Sequence, residues 1–128
     1  MLERRRLQRQ PVELRARFRI VQEGARTQYS EPVEAKITNL TMDGAALETP
    51  CVEADGLHIS YNEDPARRNE VYLQCELPTG ESLRAVGQTV WYERVTPGAP
   101  SPYLVALKFR QIPESNRKAL RNYLESAA

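Results

Sequence analysis

The sequence predicts an all-β domain, a six-stranded antiparallel barrel whose opening is closed by one C-terminal α-helix. Three observations predict it. Apolar residues recur with a period of two through most of the chain, residues that favour turns interrupt that pattern repeatedly, and helical periodicity occurs only at the end.

In the first strand Leu14, Ala16, Phe18 and Ile20 alternate with Arg15, Arg17 and Arg19, which describes a half-buried strand with a basic, solvated outer face. Glu23-Gly24 ends it. Val33, Ala35 and Ile37 then alternate with Glu34, Lys36 and Thr38. Asp43-Gly44 reads as a hairpin turn, because both residue types tolerate positive φ. The segment 50–70 carries the weakest pattern: residues 57–61 read as a short strand, and 62–65 with Arg67-Arg68 as exposed loop. Val71, Leu73, Cys75 and Leu77 resume the alternation, and Pro78-Thr79-Gly80 turns the chain. SLRAVGQTVWY, residues 82–92, forms the next strand, with Gly87 as a bend or bulge and Trp91 expected in the core. Pro97-Gly98-Ala99-Pro100 is a loop. Tyr103, Val105, Leu107 and Phe109 make the last strand, and a helix opens at Pro113 or Ser115, with Ala119, Leu120, Tyr123 and Leu124 on one face.

A chain of 128 residues has room for one domain with a real core. Its net charge of +1 excludes a generally basic protein, but the charge is uneven. Up to Arg26 there are eight arginines against three glutamates, an asymmetry that points to an anionic partner at one end. No stretch is apolar enough to span a bilayer and no signal-peptide core follows Met1, so cytoplasmic residence without membrane insertion is expected. Cys51 and Cys75 form no CxxC pair, and Cys75 reads as a small buried hydrophobe. His58 is the only histidine, with no metal-ligand spacing around it, and neither a glycine-rich phosphate loop nor HExxH is present. The expectation is a binding protein, not an enzyme, with no metal and no cofactor.

Two elements carry chemistry: the arginine cluster Arg4, Arg5, Arg6 and Arg9, and Asn39-Leu40-Thr41-Met42-Asp43-Gly44. A guanidinium is a planar fork of donors that grips phosphate bidentately, stacks on flat rings and matches the O6/N7 edge of guanine. Asn39 and Thr41 add short-range donors and acceptors on a sheet, and Gly44 lets the backbone turn and a ligand approach. Together they make a site for an anionic, guanine-bearing ligand.

These residues resemble the PilZ domain family, the bacterial receptor module for cyclic di-GMP. The family's two hallmarks are RxxxR and a downstream [D/N]x[S/T]xxG, and this chain has Arg5-x-x-x-Arg9 followed by Asn39-x-Thr41-x-x-Gly44. Gly87 to Trp91, Val105 to Phe109 and Ile112 to Leu124 resemble the family's later strands and closing helix, so the likeness covers nearly the whole chain. It implies that Arg5 and Arg9 grip phosphates and guanines, that Asn39 and Thr41 contact a base or ribose, and that Gly44 shapes the turn; Arg4 and Arg6 add contacts or local potential. Asn39 and Thr41 stand where Asp and Ser are more usual, and Ala106 where glycine is common.

The implied organisation is a flexible ligand-binding arm at 1–12, a barrel at 13–112 and a helix at 113–126 that packs on it. The implied partners are cyclic di-GMP and a separate effector protein; no nucleic acid is expected. Two alternatives remain open: a PilZ-like adaptor that ignores the nucleotide, and a small nucleic-acid-binding barrel.

Overall fold

A computed structural model of the chain describes residues 10–96 and 102–127. The arginines at 4, 5, 6 and 9 and the turn at 97–100 lie outside the described residues. The strands are β1 (Gln10–Gln22), β2 (Gln28–Tyr29), β3 (Val33–Leu40), β4 (Gly44–Thr49), β5 (Glu53–Ala54), β6 (Leu57–His58), β7 (Glu70–Glu76), β8 (Ser82–Arg94) and β9 (Tyr103–Gln111), followed by helix α1 (Glu114–Ala127). Six of them pair in the order β1-β3-β4-β9-β8-β7, and β7 returns to β1, so an antiparallel barrel closes as predicted. Closure leaves no unpaired barrel edge along those strands. The short β2 rides on the end of β1, and β5 with β6 forms a separate hairpin.

Alternation sorts the side chains. Phe18, Ile20, Ile37, Leu47, Leu83 and Val105 are fully buried in the barrel, while Arg15, Arg17 and Arg19 are exposed. Cys75 lies in the same core, and burial pushes its thiol up to about 11, so it packs as a small apolar group. Ala119, Leu120, Tyr123 and Leu124 of α1 are buried in that core as their spacing predicts. The helix packs on β8, where the Arg84 N–H donates to Asn116 Oδ1 at 3.0 Å.

The structure differs from the sequence expectation in two places. The sixth barrel strand is β4, not residues 57–61, of which only Leu57–His58 is strand. Gly-Ala-Ala-Leu-Glu-Thr has weak β propensity and becomes a strand because β3 and β9 flank it on both sides. The positive φ angles also fall elsewhere. Among the described residues they occur at Asp55 (55°), Gly56 (79°) and Gly80 (92°), and not at Asp43 or Gly44. The mirror-image turn that Asp-Gly favours thus joins β5 to β6, in a two-residue loop between Ala54 and Leu57.

That hairpin belongs to a segment that packs into the barrel, since Leu57 and Ile59 are both core residues. The Ile59 carbonyl accepts from Thr89 Oγ1 at 3.1 Å. Asn69, fully buried, donates from Nδ2 to the carbonyls of His58 (2.8 Å) and Tyr61 (2.9 Å). His58 organises the bend between them: its Nδ1 accepts from the N–H groups of Ser60 (3.0 Å) and Tyr61 (3.2 Å), and its ring stacks on Tyr61 at 4.6 Å. Nδ1 must therefore be unprotonated.

Burial lowers the His58 pKa below its ordinary value of 6.5, with the charge of Glu53 opposing that shift. The unfolded chain then takes up the proton first, so this contribution to stability is complete above about pH 6.5 and is lost as pH falls from there through the depressed folded value. As the only histidine, His58 is the one side chain that ordinarily titrates in this range. The expected result is a lower urea midpoint at about pH 5.5 than at about pH 7.5, with a smaller difference in His58→Gln. An equal drop in parent and variant would refute the assignment.

Candidate functional site

Three β-bulges shape one outer face of the barrel. In β3 the register passes from Ile37↔Leu47 to Asn39↔Ala46, so Thr38 is the extra residue. In β8 it passes from Thr89↔Leu107 to Trp91↔Ala106, so Val90 is the extra residue. A third shift, in β1 between Pro11 and Leu14, lies opposite the first. Each inserted residue resets the parity of its strand and re-aims the side chains beyond it. Val90 and Trp91, consecutive in sequence, are therefore both exposed, at 60% and 46%, while Tyr92 turns to pack against the core. The expectation of a core Trp91 is corrected: unbroken alternation from Leu83 would put it inside, and the bulge at Val90 puts it outside.

The re-aimed residues meet in one lateral row. Pro11 pairs with Asn39, Asn39 with Ala46, Ala46 with Ala106, and Ala106 with Trp91. At ~4.8 Å per strand, Asn39 and Trp91 stand ~14 Å apart, with two methyl groups as the floor between them. The result is a shallow, solvent-open concavity of ≈ 870 Å³, with Asn39 and Thr41 on one side, Val90 and Trp91 on the other, and Lys108 exposed along it. That size suits a small-molecule ligand.

Gly44 and Thr41 build the turn that frames this face. The Thr41 N–H donates to the Gly44 carbonyl at 2.9 Å, and the Phe109 N–H donates to the Asp43 carbonyl at 2.7 Å. Thr41 Oγ1 accepts from the N–H groups of Asp43 and Gly44, each at 3.0 Å, and donates to the Gly44 carbonyl at 3.3 Å. One donor and two acceptor positions are then all in use. Glycine is needed at 44 because a Cβ there would collide with the Leu107 carbonyl of β9. Its space goes to a neighbouring strand, not to a left-handed φ.

The structure therefore brings Asn39, Thr41 and Gly44 together, and Arg4, Arg5, Arg6 and Arg9 lie outside the described residues. The Asn39 amide makes no side-chain hydrogen bond among the described residues, so its donors and acceptor are available. Sequence reasoning missed Val90, Trp91 and Lys108. The available signal was Val90-Trp91-Tyr92, three large apolar residues in a row that no unbroken alternation can place. A larger concavity, ≈ 1120 Å³, opens beside Cys51 where β3 and β4 part. Its three cations, Arg15, Lys36 and Arg94, share the lining with the carboxylates Glu34, Glu48 and Glu53. Lys36 Nζ also lies 3.1 Å from Glu13, and that hydrogen bond, then the charges of Glu13 and Glu48, raise the Lys36 pKa. It is the poorer place for an anion.

The model of the PilZ domain family matches residues 3–126. The chain belongs to the PilZ domain family. Two solved structures are similar to this PilZ domain. The PilZ domain of YcgR from Escherichia coli with c-di-GMP has a TM-score of 0.51 and 9% identity, and the match covers 90% of this chain and 88% of that one. The Inhibitor of motility MotI/DgrA of Bacillus subtilis has a TM-score of 0.58 and 16% identity, over 92% of this chain and 48% of that one. The present chain thus spans about half of the Bacillus protein, and both likenesses are likenesses of fold.

The turn yields a stability test. Gly44→Ala must push β4 from β9 or distort the turn, at an expected cost of about 1–3 kcal/mol in urea unfolding. Thr41→Ser should stay within about 0.5 kcal/mol of the parent, since it keeps all three hydrogen bonds. A neutral Gly44→Ala would show that the strands can separate freely there.

Proposed function

We propose that this PilZ domain binds cyclic di-GMP on the Asn39–Trp91 face and, once loaded, is read by a separate effector protein. Arg5 and Arg9 grip the phosphates, Asn39 offers its free amide to a guanine edge, and the alanine floor admits a flat base beside Trp91. Lys108, with Arg4 and Arg6, adds positive potential. Thr41 and Gly44 hold the turn, and Thr41 reaches a ligand only by giving up one of its internal hydrogen bonds. Segment 1–12, whose last residues open β1, folds over the ligand and changes the surface the effector meets. The output is binding, with no catalytic step.

The observation that carries the reading is where β1 starts. Gln10 pairs with Leu40, the residue between Asn39 and Thr41. The Cα of Arg9 is then tethered ~3.8 Å from that of Gln10, and Arg5 reaches at most ~14 Å further along the chain. The Asn39 face is thus within chain reach of both arginines, which supports the reading. The YcgR domain that shares the fold was solved with c-di-GMP, which agrees with the ligand chosen. One observation favours the rival, an adaptor that ignores the nucleotide: the Thr41 hydroxyl is already saturated.

Calorimetric titration with cyclic di-GMP, with GTP and a single-stranded oligonucleotide as controls, tests the reading. Saturable heat with cyclic di-GMP alone is expected, together with a change in the emission of Trp91, the only tryptophan. Arg9→Ala should cost about 2–5 kcal/mol, roughly thirtyfold to several thousandfold in affinity. Unchanged affinity in Arg9→Ala would end this mechanism, and silence with every ligand would favour the adaptor.

A further inference from the structure

We propose that the outer face of β1, β7 and β8 is a docking surface for a short acidic segment of a partner protein. The face is defined by register. Arg17 pairs with Gln74 and Gln74 with Arg84; in the next row Arg19 pairs with Tyr72 and Tyr72 with Val86. Three guanidinium groups thus rise from two adjacent rows, Arg17 and Arg19 ~7 Å apart along β1 and Arg84 two strands away, ~10 Å across. They border a concavity of ≈ 420 Å³ that no carboxylate lines.

Little among the described residues satisfies these charges. Arg17 meets Glu34 at 3.5 Å, an exposed pair of small worth. Arg19 and Arg84 have no ion-pair partner among the described residues. The middle of the face is apolar as well as basic: Tyr72 is 38% exposed and held edge-on by Tyr29 at 6.3 Å, and Pro32 and Pro113 close the sides. Arginine and tyrosine around a partly apolar centre are the residues that dominate protein interfaces.

Charge complementarity calls for carboxylates, and the ends of the face set their number. Along β7, Glu76 and Glu70 bracket Gln74 and Tyr72. A long polyanion would run onto these carboxylates, whereas a segment with two or three acidic side chains about an apolar one fits between them, within ~20 Å. A protein segment is therefore favoured over a nucleic acid. Nothing in this surface involves the Asn39–Trp91 face, so it stands even if that face binds no nucleotide.

The test is amide chemical-shift mapping on the isotope-labelled full chain without cyclic di-GMP. The probes are a synthetic peptide alternating Glu with Leu and Tyr, the same peptide with Gln for Glu, and an oligothymidylate of equal charge. The acidic peptide alone should shift amides around Arg17, Arg19, Tyr72 and Arg84. Arg19→Glu with Arg84→Glu should weaken it at least about tenfold, while Lys118→Glu with Arg121→Glu, on exposed positions of α1, changes it less than about twofold. Thermal melts of both pairs confirm folding. Shifts confined to other faces, equal binding by the charge-reversed pair, equal binding of the Gln peptide, no saturable binding, or tighter oligothymidylate binding on these residues would each overturn the proposal.

Discussion

Strand β1 has two partners, and the closure of the whole barrel rests on that. Ala16 and Phe18 pair with Ala35 and Val33 of β3 on one side, and with Cys75 and Leu73 of β7 on the other. This double pairing joins the two ends of the ring, so the backbone polar groups of β1 are spent inside the barrel. It also fixes direction. With both neighbours in place, the even-numbered residues Ala16, Phe18 and Ile20 can only point inward, and Arg15, Arg17 and Arg19 can only point out. A one-residue slip would bury three guanidinium groups, at a cost far beyond the stability of any domain this size. The far end of β1 is pinned as well, where the Ile20 N–H donates to the buried Ser30 Oγ at 2.8 Å.

Parity was legible in the sequence, and the places where parity breaks were not. Period two locates five of the six barrel strands and most of the core, because alternation is a property of the residues themselves. The helix is legible for the same reason. A bulge, however, is decided between two strands. Nothing in SLRAVGQTVWY says that Val90 will be skipped, because the skip depends on β9 offering Leu107 and then Ala106 as successive partners. Trp91 therefore reads as core and stands outside. Strand β4 is hidden by the same logic, since alanines become strand only between β3 and β9. Asp-Gly occurs twice, and local chemistry cannot tell the pair that turns left-handed at 55–56 from the pair at 43–44. Of the candidate site, Asn39, Thr41 and Gly44 were legible as a motif, and their opposite wall was not.

The segment between β4 and β7 shows how a stretch with a weak pattern can still be well determined. It puts only two large side chains, Leu57 and Ile59, into the core, and polar groups do most of the holding. Asn69 ties the carbonyls of His58 and Tyr61 from inside, while His58 gathers the amides of Ser60 and Tyr61 from outside. Each side chain substitutes for a strand partner that the irregular backbone lacks. Asn69 Oδ1 is left buried without a protein partner, a position that one bound water could satisfy. Periodicity arguments are blind to such a segment, because it is specified by hydrogen bonds at particular residues and not by a repeat.

The arginines make two groups with different physical prospects, and β1 connects them. In the proposed reading, those before the strand grip a flat anionic ligand beside the Asn39 amide and its floor of methyl groups. Those within the strand are fixed by the pleat, ~7 Å apart, facing solvent on the other side of the ring. A tethered guanidinium can adjust its angle to a phosphate, but it must be ordered on binding at an entropic cost. A guanidinium on a strand has its backbone already ordered, so a partner that meets it bears little of that cost. The first arrangement suits a small ligand that comes and goes, and the second suits a surface that a larger partner reads. Only the second group sits on β1 itself, so a partner that meets it engages a strand held on both sides by β3 and β7.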